Sequence, residues 1–77
     1  MDYNKWKEKT LEKIKAFEST EPFELKMLYD EREWGDFGSN VLSWCKQFKS
    51  DVQEGKITTV SHVKLETDNH NWYKKVR

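Results

Sequence analysis

Ile57-Thr58-Thr59-Val60-Ser61-His62-Val63-Lys64-Leu65-Glu66, then Thr67-Asp68-Asn69-His70-Asn71, then Trp72-Tyr73-Lys74-Lys75-Val76, is the stretch that decides the fold. The first run is rich in β-branched residues and the last is a second extended run. The five residues between them are dense in turn formers, so the stretch predicts a β-hairpin. Ile57, Val60, Val63 and Leu65 do not keep one parity, which predicts a bulge or an irregular start near Thr58-Thr59. Trp72 and Tyr73 are adjacent, so their side chains must leave opposite faces of the strand. One of the two belongs to the core.

Upstream of the hairpin the period changes to that of a helix. Val41, Trp44, Cys45, Phe48 and Val52 fall on one face of a helix expected from Ser39 to Glu54. Gly55 stands where the residue after a helix end is commonly glycine, and Ser39 or Asp36 is available as an N-cap. Asp30 to Gly38 reads as a turn region anchored by Trp34 and Phe37. Leu25, Met27, Leu28 and Tyr29 fit a short second helix. Phe23-Glu24-Leu25 is a brief extended piece, because Pro22 lacks a backbone donor and biases Glu21 away from helix. Before that break, Tyr3, Trp6, Thr10, Leu11, Ile14 and Phe17 recur at steps of three and four. They predict a first helix capped by Asn4 and running to about Glu18.

The expected fold class is therefore α+β, three helices followed by a C-terminal β-hairpin. That element order is the order of a winged helix-turn-helix, with the third helix as reader, the hairpin as wing and Phe23 pairing with it as a third strand. The 77 residues make one domain, 1–77, since a second core would have too few residues to fill it. Four Trp, four Phe and three Tyr supply apolar area that so short a chain needs.

Composition narrows the function classes. Lys and Arg balance Asp and Glu, 14 against 14, whereas a dedicated DNA binder usually carries a basic excess. The balance is uneven along the chain. Glu21 to Gly38 holds six acids against Lys26 and Arg32, a net of −4, and Lys56 to Arg77 holds five bases against Glu66 and Asp68, a net of +3. Cys45 is the sole cysteine, so no intramolecular disulfide forms. The N-terminal residues have no signal-peptide-like apolar run and no stretch approaches spanning length, so the expected address is the cytoplasm, with no membrane partner.

Nothing in the pattern resembles an active site, and no catalytic residue, metal or cofactor is expected. Cys45, His62 and His70 lie on different elements without a paired spacing such as C-x-x-C. Apolar neighbours Trp44 and Phe48 should raise the Cys45 pKa and quiet the thiol. Gly35-x-x-Gly38 lacks the Lys-Ser/Thr of a phosphate loop. Asp30, Glu31, Glu33 and Asp36 lack the alternating ligand order of a calcium loop, and read as a solvated acidic turn.

Nucleic-acid contact has more residues behind it. Asn40, Ser43, Lys46, Gln47 and Lys49 occupy the polar side of the third helix, and these types read base edges and phosphates. Lys64, Lys74, Lys75 and Arg77 on the hairpin are placed to meet phosphates, and Asn69 at its tip to reach a groove. Asp51 and Glu54 near the helix end count against this. The expected function is a non-catalytic binding domain with double-stranded DNA as partner. The alternative is a protein-protein interaction module, an inhibitor or accessory factor of a host protein, using the acidic turn and exposed aromatics.

The run Phe23-x-Leu25-Lys26-x-Leu28, then Trp34, then Phe48-Lys49-x-x-Val52-x-x-Gly55 and Tyr73-Lys74-Lys75 resembles a small uncharacterised domain family of Gram-positive bacteria and their phages. The likeness covers about two thirds of the chain, Phe23 to Lys75. It departs at Leu42-Ser43-Trp44-Cys45, where that family more often has a small residue such as Gly ahead of the helix's Phe. The resemblance implies a winged-helix-like fold and a bacterial or prophage setting, and it assigns no activity.

Overall fold

The structure, a computed structural model, describes residues 2–63 and 71–76. Helix α1 spans Tyr3–Ala16. A 3-10 turn, Leu25–Leu28, follows, then α2, Glu31–Asp36, and α3, Asn40–Gln53. Strands β1, Val60–Val63, and β2, Trp72–Lys75, close the chain as an antiparallel pair. The α+β class holds: three helices, then a two-stranded sheet.

The stripe read along α1 is the buried face, with Trp6, Thr10 and Ile14 enclosed and Tyr3, Leu11 and Phe17 packed at its borders. The N-cap is Asp2, not Asn4. Its carboxylate accepts from the Lys5 amide at 2.9 Å, a bond that a charged acceptor makes more strongly than the Asn4 amide would. The helix also stops at Ala16, short of Glu18, with Phe17 turning extended so that its ring meets Phe23 at 4.9 Å between centroids.

Asp30 to Gly38 is a larger departure. It holds the helix α2 instead of an open turn. The Asp30 carboxylate accepts from the Glu33 amide at 2.7 Å, and Glu31 and Glu33 sit where the positive end of the helix favours acids. Trp34 and Phe37 anchor it against Tyr29, with ring centroids 5.8 and 5.1 Å away. The second helix expected around Leu25 to Tyr29 is tighter and shorter, a single 3-10 turn.

Gly38, at φ +61°, reverses the chain into α3 in a conformation that L side chains rarely adopt. Neither Ser39 nor Asp36 caps α3; Ser39 holds the cap position with helical dihedrals and no side-chain bond. At the far end Gly55 is left-handed, at φ +81°. Its amide donates to the Val52 carbonyl at 3.2 Å and the Lys56 amide to the Asp51 carbonyl at 2.8 Å, the paired bonds of a Schellman stop.

The ladder pairs Val60 with Lys75, Ser61 with Lys74, His62 with Tyr73 and Val63 with Trp72. The strand begins at Val60, after the irregular Thr58-Thr59, and the Val76 amide still reaches the Thr59 carbonyl at 2.9 Å. Tyr73 gives both its backbone groups to Phe23, each bond 2.8 Å, so Phe23 lies on the edge of β2 away from β1. The order across the sheet is Phe23, β2, β1. Val60 and Tyr73 face inward onto Phe48, whose ring meets Tyr73 edge-on at 5.3 Å. Trp6, Ile14, Phe23, Phe48 and Tyr73 form the centre of the core. No helix among the described residues is long and apolar enough to cross a membrane.

Candidate nucleic-acid interface

Helix α3 has two sides because its apolar residues are spaced for one. Val41 and Phe48 are buried, and Trp44, Cys45 and Val52 pack against the core, which turns most of the remaining positions outward, Asp51 excepted. Asn40, Ser43, Lys46 and Gln47 are all exposed. They step by three and four, so they share one stripe covering about a third of the helix circumference. Lys49 stands at the border of that stripe and is half-buried. Leu42, beside Lys46 on the helix surface, is 71% exposed. The stripe carries Lys46, and the acids toward the helix end are the buried Asp51 and the exposed Glu54.

The hairpin contributes less than its composition suggests. Lys74 is exposed on the outer face of the sheet, opposite Ser61. Lys75 points the other way: its ammonium donates to the Phe17 carbonyl at 2.6 Å and the Lys15 carbonyl at 3.3 Å. Those are last-turn and capping carbonyls of α1, where the negative end of the helix attracts a cation. Lys75 therefore fastens β2 to α1. Lys64, Asn69 and Arg77 lie outside the described residues, as does the rest of the expected hairpin tip from Lys64 to His70.

Tyr3, expected on the α1 stripe, and Asp51, expected to count against nucleic-acid contact, both reach the α3 stripe through Gln47. Asp51 is only 4% exposed. Its carboxylate accepts from the Tyr3 hydroxyl at 2.6 Å and from the Gln47 amide nitrogen at 2.9 Å. The Tyr3 bond holds the Asp51 carboxyl below the usual carboxylate range, against the opposing effect of burial. Burial, and then the bond to Asp51, pushes the Tyr3 phenol well above its ordinary value. The one signal for this arrangement is the spacing of Gln47 and Asp51, four apart on a helix, a separation at which Gln and Asp side chains bond.

A cleft of about 310 Å³ opens between the 3-10 turn, α2, α3 and β2, lined by Glu24, Leu25, Trp34, Cys45, Asn71 and Tyr73. Burial pushes the Cys45 thiol up to about 11, so it is protonated at neutral pH and a poor nucleophile. Among the described residues no three His, Cys, Asp or Glu side chains come close enough to hold a metal ion. Tyr73, which also lines the cleft, is buried, and among the described residues its hydroxyl has no hydrogen-bond partner; the oxygen is closed off from solvent.

Residues 8–75 match the model of a family described as a domain of unknown function, DUF1413. No curated protein and no solved structure matches the chain. The chain belongs to the DUF1413 family.

Proposed function

We propose that this DUF1413 domain is a non-catalytic binding module of winged-helix type that contacts double-stranded DNA through the outward stripe of α3. The observation that carries the reading is that Asn40, Ser43, Lys46 and Gln47 are exposed together on one face of the helix that follows the Gly38 reversal. These side chains supply an amide pair, a hydroxyl and a cation, the groups that reach base edges and phosphates in a major groove. The sheet order Phe23, β2, β1 supports it, because a winged helix-turn-helix places its last strand between the first extended piece and the strand after the reading helix. The exposed Leu42 suits contact with a thymine methyl group. With DNA as target, the working compartment in this reading is a bacterial cytoplasm, in a chromosomal or prophage setting.

The charge ledger sets the strength. With Lys75 committed to α1, the described cations of α3 and the hairpin left to meet phosphates are Lys46, Lys49 and Lys74. About three phosphate contacts give a log–log salt slope of roughly −2.7, shallow beside a strongly basic binder. Anisotropy titration of a fluorescent mixed-sequence duplex between about 50 and 200 mM salt tests this. The expected result is weak, salt-sensitive binding whose slope falls by about one when Lys46 becomes Gln. Absence of any salt-sensitive binding at about 50 mM salt overturns it.

A protein partner is the second reading. The cleft favours it: Leu25, Trp34 and Cys45 give it apolar walls, and Met27 on the same 3-10 turn is 55% exposed. Affinity capture from a bacterial lysate with the tagged chain is the check, and recovery of nothing above background counts against it.

A further inference from the structure

Gln47 differs from the other members of the α3 stripe in that its side chain is held. Its amide nitrogen donates to Asp51 Oδ1, and the other oxygen of that carboxylate accepts from the Tyr3 hydroxyl. An ionised carboxylate can only accept, so the nitrogen of Gln47 must face Asp51 and its carbonyl oxygen must face away. The two amide ends are therefore not interchangeable. One amide hydrogen is spent on Asp51, and what remains for a ligand is one hydrogen and one acceptor.

Those two groups match one base edge. Adenine offers an N6 amino donor and an N7 acceptor in the major groove, and a Gln amide meets both at once. Guanine offers two acceptors, N7 and O6. To satisfy both, Gln47 would need both amide hydrogens, and Asp51 already holds one. We propose that Asp51 is a positioning residue that makes Gln47 selective for adenine over guanine, with Tyr3 holding the carboxylate in place. The proposal rests on the DNA-binding reading above. Asp51 itself touches no base; it acts through the amide.

Selection from a randomised duplex library, followed by titration of the enriched duplex with adenine or guanine at the preferred position, tests it. The wild-type chain should prefer adenine by about tenfold, within the usual worth of one bidentate contact. Asp51→Asn presents either an amide nitrogen or an oxygen to Gln47, lets the amide turn over, and should bring the ratio to within about twofold. Tyr3→Phe keeps the Asp51–Gln47 bond but releases the carboxylate, and should lower the ratio part-way. It also serves as the readout if Asp51→Asn does not fold. Gln47→Glu should move the preference to cytosine, whose N4 amino group is a donor. An unchanged adenine-to-guanine ratio in the folded variants, or salt-sensitive wild-type binding with no base preference, overturns the positioning role and leaves the DNA reading standing. No binding at all overturns the DNA reading, and the positioning role with it.

Discussion

Two corners of the molecule tie α1 to its neighbours through a tyrosine hydroxyl, and they use different chemistry. At the first, the Tyr29 and Thr10 hydroxyl oxygens lie 2.6 Å apart, and Thr10 donates to the Trp6 carbonyl at 2.8 Å. Thr10 has a single hydroxyl hydrogen, so with that hydrogen on Trp6 the Tyr29 hydroxyl must be the donor of the shared bond. No formal charge enters these bonds. The Tyr29 ring is enclosed by Phe37 and Trp34, with the Lys13 ammonium 4.9 Å from its centroid. At the second corner Tyr3 donates to an ionised Asp51, which also takes the Gln47 amide. The neutral corner lies inside the core. The charged one sits at the border of the α3 stripe, where a fixed orientation can be felt outside. The same hydroxyl group thus serves packing in one place and orientation in the other.

Strong alkali is the way to break both at once, and it should have the largest effect. Burial raises the Tyr3, Tyr29 and Tyr73 phenols above their ordinary values and the Cys45 thiol to about 11. Each group is held protonated in the fold, while the unfolded chain releases its protons near pH 8.5 for Cys and about 10 for Tyr. Stability should therefore fall as pH rises past those values, and urea midpoints between pH 8 and 11 would show it. A flat profile across that range would contradict the burial of these groups.

Acid should separate the corners. The folded Asp51 pKa is depressed, so its contribution is fully present above about pH 4 to 5 and is lost as pH falls through the folded value. Asp51→Ala removes the acceptor of two charge-assisted bonds and should cost about 3 kcal/mol at pH 7. The gap between wild type and variant should close on acidification. Thr10→Val leaves the Tyr29 hydroxyl buried without an acceptor and should cost about 2 kcal/mol, by the same amount at about pH 2 as at pH 7. Tyr29→Phe is the mildest, about 1 kcal/mol, because Thr10 keeps its bond to Trp6. Chemical denaturation of the three variants at both pH values makes the comparison. An acid-insensitive Asp51→Ala would erase the distinction.

The parts of this fold that rest on periodicity are legible in the sequence. Trp6, Thr10 and Ile14 are buried as the α1 stripe requires, Gly55 ends α3, and the extended piece at Phe23 joins the hairpin. Helix α2 is not legible there, because Gly35 and four acids from Asp30 to Asp36 look like a turn. The cap of Asp30 on Glu33, three residues on, was the overlooked sign. The candidate site was half legible. Exposure of Asn40, Ser43, Lys46 and Gln47 follows from the apolar face opposite them. Where Lys75 and Asp51 go does not, since both depend on α1, which is brought beside them only by the tertiary fold. A lysine on a strand reads as a free cation until a helix end arrives to use it. An aspartate in a polar helix reads as solvated until a tyrosine 48 positions away covers it.

Phe23 and Tyr73 clasp each other across fifty positions, and Lys75 reaches Phe17 across fifty-eight. Loops of that size close slowly, and nothing local rewards the chain before they do. The helices, whose bonds span only a few residues, can form first and wait. Docking of β2 is then the step that commits the molecule, because it secures the end of α1 and the Phe23 segment in one event. The amide of Tyr73 should exchange with solvent only when the whole chain opens.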